Sequence, residues 1–375
     1  MPHHDDRSGR PRTYRRFGAR ALTGIGAALL LGSVCAGTGQ PAAAAAPAPL
    51  AGDVLGHPYR HGVVQTLDTN LPGVAGLNNL QYGGGTAGVG VTTGAPRVYL
   101  VAWGSQWGTA GTDAKGYSTL TGDPQATVPR LQGFFKGLGT GAETWSGVMT
   151  QYCQDVASDT TSCPAGSAHV GYPTGGALAG VWLDPSAAAP DQATGNQIGA
   201  EAVRAAAHFG NTTAASNRKV QYVVLSPPGT HPDGFNTTAG QFCAWHDYTG
   251  DTTLSGGAPA SPYGPLAFTN EPYVTDAGSS CGASFVNPGA GGVADGVTIV
   301  EGHEYAETIS DQFPSGGWTE LTGNENGDKC AWISSGQGAA ENLQLTSGSY
   351  PVQSTWSNDA NGSSGGCETG HPTVG

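Results

Sequence analysis

The segment Glu301–Asp311, EGHEYAETISD, holds the residues best equipped for chemistry, and Glu325-Asn326-Gly327-Asp328 follows it a short loop later. On a helix His303 and Glu307 stand four residues apart and project from one face, with Glu304 beside His303. A zinc hydrolase holds its metal and activates a water with residues spaced in this way. The metalloprotease form of the motif is His-Glu-x-x-His; here the carboxylate of Glu307 replaces the second imidazole. Zinc accepts Asp and Glu oxygens as well as His nitrogens, so the exchange alters the ligand charge and keeps the ligand count.

A third protein ligand must come from elsewhere in the chain. Glu325 is the first choice, because a downstream Glu completes the ligand set of one large class of zincins; His246, in Cys243-Ala244-Trp245-His246-Asp247, competes for the position. Asp328 is placed to orient His303 by accepting its other ring proton. Glu304 is expected to act as the base that takes a proton from the water and passes it to the leaving amine. Zn2+ is therefore the expected cofactor. Two plainer readings compete: Glu301, Glu304 and Glu307 also suit the wet face of a surface helix, and Asn324, Glu325, Asn326 and Asp328 carry the hard oxygens of a Ca2+ loop. The apolar run Val297-Thr298-Ile299-Val300 argues that this helix is buried at its start, and buried carboxylates demand a partner.

Other catalytic patterns are weaker. Ser226 lacks the Gly-x-Ser-x-Gly elbow of a serine hydrolase although His231 and Asp233 lie close by, and no glycine pattern for phosphate or dinucleotide binding follows a strand. Glu304 and Glu307 sit on one helix turn, where they run nearly parallel instead of flanking a sugar.

The elements that must position these residues alternate in type. Pro96–Gly104, Val181–Leu183 and Val220–Ser226 read as buried strands, the last followed by the turn Pro227-Pro228-Gly229. A helix with Asp123 near its start and Pro124 in its first turn is expected to run to about Leu138, and an Ala-rich helix to lie between about Asp191 and Phe209. This order predicts an α/β fold: a mixed, partly parallel sheet with helices packed on it, a zincin-like active-site helix and disulfide-stapled loops. Residues 96–375 form the expected single domain. The Gly- and Asn-rich stretch 47–95 reads as a lead-in or pro-segment.

Six arginines between Arg7 and Arg20 precede the apolar run Ala21–Ala36 and the small-residue stretch ending at Ala46, so residues 1–46 read as a secretory signal. Cysteine usage agrees with export. Beyond the signal lie Cys153, Cys163, Cys243, Cys281, Cys330 and Cys367, an even number suited to an oxidising compartment. Pairing in sequence order is favoured, because each bridge would then close a loop rich in Gly, Ser, Thr and Asn. The whole chain has 15 basic and 28 acidic residues, and losing the signal's arginines makes it more acidic still, which excludes nucleic acid as a natural partner. No later segment approaches the ~20 apolar residues of a membrane span.

The succession PRVYLVAWG, FCAWHDY, DGVTIVEGHEYAE, ENGDKC and YPVQSTWSN, spread from Pro96 to Asn358, resembles the EXORDIUM, or phosphate-induced, family of plant secreted proteins and its bacterial secreted relatives. The resemblance implies an extracellular, cell-wall-associated or secreted protein with a metallopeptidase-like core, and no established reaction. Two function classes follow. One is a secreted zinc-dependent hydrolase, foremost a peptidase acting on a peptide or protein substrate. The other is a non-catalytic extracellular binding or signalling protein that keeps the fold and a structural metal.

Overall fold

The structure, a computed structural model, describes residues 61–67, 79–238 and 240–375. The export signal expected over residues 1–46 and the first part of the lead-in lie outside the described residues. Six strands form the central sheet: β1 (His61–Gln65), β2 (Arg97–Trp103), β3 (Leu178–Asp184), β4 (Val220–Leu225), β5 (Phe242–Tyr248) and β6 (Ala267–Glu271), in the spatial order β1-β5-β6-β4-β2-β3. Strands β3, β2, β4 and β6 run parallel to one another, whereas β5 is antiparallel to both β6 and β1. The sheet is thus mixed and partly parallel, with helices on both faces.

The parallel half was legible because β2 and β4 are buried on both faces and read as continuous apolar runs. The expected helices are present with shifted starts. Helix α1 spans Thr127–Gly137; Asp123 lies before it and accepts the backbone N–H groups of Thr127 and Val128 at 2.9 Å each, so Pro124 belongs to the preceding turn. Helix α2 spans Gly195–His208 and starts at a capping box between Thr194 and Gln197, which satisfies two orphan N–H groups reciprocally.

Strands β1, β5 and β6 do not announce themselves. Their residues facing the third helix include His246, Thr269 and Glu271, so no apolar run marks them. Strand β1 lies inside the stretch read as a lead-in, and Gln81–Tyr82 within the same stretch pairs with Trp318–Thr319.

Helix α3, Asp295–Ser310, carries the motif, and every one of its residues is buried. It packs with α1 on one face of the sheet, against β1, β5 and β6, while α2 covers the other face, where Gly199 meets Phe268. Tyr305 rests on Phe135 of α1 and on Trp145, with ring centroids 5.4 and 6.4 Å away. Burying each such ring contributes roughly 1.5–3 kcal/mol. Polar pins fix the helix to the sheet: Gln221 of β4 donates to Thr269 Oγ1 of β6 at 2.6 Å and to Thr308 Oγ1 of α3 at 3.1 Å. A hairpin of β7 (Glu341–Leu345) and β8 (Gly348–Val352) closes the far side, where Thr298 donates to the Pro351 carbonyl at 2.6 Å.

Three disulfides staple the connections: Cys153–Cys163, Cys243–Cys281 and Cys330–Cys367, paired in sequence order. The second ties β5 to the segment before α3, and the third joins the loop after the motif to a C-terminal strand. Among the described residues no helix is long and apolar enough to cross a membrane.

Candidate metal centre

Helix α3 presents His303, Glu304 and Glu307 to the space between itself, β5 and the loop 325–328. The first two turns are apolar enough to enter the core, and the i, i+3 and i, i+4 spacing then brings the polar residues onto a shared flank. Strand β5 contributes His246 from the sheet side. Its own pairing with Thr269 places it on the α3 face.

The two imidazoles serve different groups of carboxylates. His303 Nε2 lies 3.1 Å from Glu307 Oε1 and 3.6 Å from Asp328 Oδ1. His246 Nε2 lies 3.3 Å from Glu325 Oε2 and 3.8 Å from Glu307 Oε2. Ligand-type atoms of His303, Glu307 and Asp328 all fall within 4.8 Å of one another, as do those of His246, Glu304 and Glu307. Glu307 is common to both groups.

The surrounding backbone and side chains hold this arrangement. Gln353 Oε1 accepts the Nδ1 proton of His303 at 3.1 Å, the tautomer that leaves Nε2 free to bind, and Gln353 Nε2 donates to the Gly327 carbonyl at 2.9 Å. Trp145 Nε1 in turn donates to the Gln353 carbonyl at 2.8 Å, linking the motif to the aromatic cluster on α1. Glu307 Oε1 accepts the N–H groups of Gly327 and Asp328 at 3.0 and 2.8 Å. Gly327 is required for this approach: a Cβ there would come within 2.8 Å of both Glu307 Oε1 and His303 Cγ.

Several donor atoms stay open. His303 Nε2, both oxygens of Glu304, Glu307 Oε2 and Glu325 Oε2 are buried and hydrogen-bonded to no group among the described residues. Burial pushes the carboxyls of Glu304 and Glu325 well above the ordinary range, and neighbouring carboxylates add to the rise. Burial, with the charge of Asp328, likewise lifts Glu307 to about 7. For His303 burial opposes the charged form, but Glu307, Asp328 and Glu304 outweigh it and raise the imidazole. Deeper still, Glu271 and Glu301 are wholly buried and have no side-chain hydrogen-bond partner among the described residues; burial pushes both carboxyls well above the ordinary range, and for Glu271 the neighbouring Glu301 carboxyl adds to the rise.

No family model, curated protein or solved structure matches the chain. What the site can do therefore follows from its donor set. Convergent, buried imidazole nitrogens and carboxylate oxygens suit a divalent cation such as zinc, which would remove the cost of leaving His303 Nε2 and the Glu304 oxygens without a hydrogen bond.

The placement differs from the sequence reading in three respects. Glu325, the first choice beside His303, sits against His246 instead. Asp328 faces the Nε2 side of His303, so it cannot take the other ring proton; Gln353, a residue with no local sequence signal, does that. The oxygens of the loop also do not form one Ca2+ ring: Asn324 donates to Glu320, Asn326 donates to the Ala306 carbonyl at 3.1 Å and to Ser310, and Glu325 and Asp328 turn to different imidazoles. The wet-face reading of α3 fails outright, since Glu301, Glu304 and Glu307 have no exposed surface. His231, named above beside Ser226, lies elsewhere and pairs with Asp191 at 3.0 Å.

Proposed function

We propose that this protein is a secreted metal-dependent hydrolase, in its simplest form a zinc peptidase. The observation that carries this reading is the set of open, buried donor atoms around Glu307, with His303 preset in the ligating tautomer. Bound zinc would polarise a carbonyl and bring the pKa of a water toward neutrality. The protein's own part is to hold and move protons. Glu304 has two buried oxygens free of hydrogen bonds among the described residues, so it is placed to take a proton from the water and pass it to a leaving amine. Asp328 has a side chain 15% exposed, against 2% for Glu325 and none for the other four residues, so it marks the side from which a substrate reaches the centre. Three disulfides suit an oxidising environment, and the expected export signal, together with the resemblance to secreted families, extends this to an extracellular location.

A second reading draws on the near-complete burial itself. A metal shut in by protein on every side is structural, and the chain would then be an extracellular binding or signalling protein. Replacing Glu304 with Gln separates the two. On the hydrolase reading Glu304→Gln retains metal by mass spectrometry while cleavage of an unfolded protein substrate falls by ~10²–10⁴-fold. A wild-type protein that carries metal and cleaves nothing across a broad peptide library would establish the structural role.

A further inference from the structure

The donor atoms exceed what one ion can use. No single ion reaches both imidazoles as they are placed: His303 belongs with Glu307 and Asp328, His246 with Glu304, Glu307 and Glu325. From this geometry we infer that the centre holds two divalent cations side by side, bridged by the carboxylate of Glu307. The inference rests on the metal-dependent reading above and specifies the form of that site.

Three observations carry it. First, the two oxygens of Glu307 face different imidazoles, Oε1 toward His303 at 3.1 Å and Oε2 toward His246 at 3.8 Å. A carboxylate shared in this way spans two ions roughly 3.5–4 Å apart, the spacing of two-metal hydrolytic sites. The N–H groups of Gly327 and Asp328 both bond Oε1 and hold it on the His303 side. Second, charge balance favours two ions over one. Glu304, Glu307, Glu325 and Asp328 bring four negative charges when ionised, and four buried or nearly buried carboxylates around one divalent ion would leave an uncompensated double charge in the interior. Two divalent ions neutralise all four. Third, each group retains an open, fully buried atom aimed into it: His303 Nε2 in one, both Glu304 oxygens in the other.

The two sites differ in character. The His303 side includes Asp328, the only partly exposed ligand, so it is the one substrate and solvent reach first. The His246 side is bounded by β5 and is the more enclosed. Glu304 stands on the enclosed side, where His246, Glu307 and Glu325 would hold the ion, and its two open oxygens keep the role of proton acceptor.

Manganese gives a direct count. The full mature chain is stripped with chelator, titrated with Mn2+, and read by elemental analysis and low-temperature electron paramagnetic resonance. Two Mn2+ per chain with an exchange-coupled spectrum are expected. His246→Ala should bind one Mn2+ with an isolated six-line spectrum, its fold checked by intact disulfides and a cooperative melt. Asp328→Asn, which keeps side-chain volume, should likewise reduce the count to one from the opposite side, so the test survives a misfolded His246 variant. One Mn2+ per wild-type chain, or an isolated six-line spectrum at saturation, overturns the second ion while leaving a single-metal hydrolase intact. No Mn2+ or Zn2+ bound at micromolar concentration overturns both readings.

Discussion

Gln353 sets the tautomer of His303 without touching any candidate metal ligand atom, and its effect should be measurable on its own. Outer partners of ligating histidines typically contribute 10–100-fold in metal affinity. Gln353→Ala should therefore weaken Zn2+ binding by about that factor, read by competition against a chromophoric chelator. Ionisation at Glu307 and Asp311 makes a second prediction. Both carboxyls lie at about 7 in the folded chain, mainly through burial, whereas unfolded carboxyls titrate near 4. The folded state thus holds protons that the unfolded state has released. This contribution to stability is complete below the unfolded value and disappears as pH rises through about 7. Raised pKa values at Glu304, Glu325 and His303 act in the same direction. Calorimetry in chelator should show the melting temperature falling from pH 5 to pH 8, and added Zn2+ should flatten that fall because cations replace the protons. A chelated protein that grows more stable across this window would contradict the assignment.

Among the elements, the loop 325–328 depends most on being tied down. It carries Glu325 and Asp328, lays Gly327 against the His303 ring, and is anchored by the Trp356 N–H on the Asn326 carbonyl at 2.8 Å and by Cys330–Cys367 just beyond. Gly327→Ala forces a Cβ into two immobile neighbours, so metal affinity should fall at least tenfold with the overall fold kept by circular dichroism; unchanged affinity would show that the loop has slack. The Cys330–Cys367 bridge spans a sequence separation of 37, which in the chain-entropy account stabilises by roughly 4 kcal/mol. Removing both cysteines should lower the melting temperature and weaken metal binding together, because the same staple restrains both. The sequence disclosed the helix and this loop through residue type and spacing alone. It did not disclose β5 and β6: their polar residues on the α3 face belong to the site or its surroundings, so the function of these strands hides their secondary structure. Glu271 and Gln353 were unreadable for a related reason, since each reaches the centre from far along the chain and nothing local marks it.

Across the whole molecule, the parallel half of the sheet was legible and the antiparallel half was not. Apolar runs name a strand that is buried on both faces, as β2 and β4 are, whereas β1 lies in a Gly-rich stretch with no such run. Metal and fold should be coupled at this scale. A centre with this many buried carboxylates is costly when empty, and a ligand that binds only the folded state at 100 times its dissociation constant adds about 2.7 kcal/mol. Chelation should thus lower the melting temperature by several degrees, and readdition of Zn2+ should recover it. The placement of β1 has a further bearing on how the chain can be trimmed. This strand covers the outer edge of β5, the strand that carries His246, and is held there by Trp332 Nε1 on the Gln65 carbonyl and by the Leu67 N–H on the Ser280 carbonyl, both at 2.8 Å. A protease that cut beyond Gln65 and released the piece would bare a sheet edge with unpaired backbone groups, an invitation to pair with other chains. Any maturation cleavage that keeps this edge covered must stop before His61, so the amino-terminal lead-in cannot be discarded whole: its strand is part of the wall around the candidate centre.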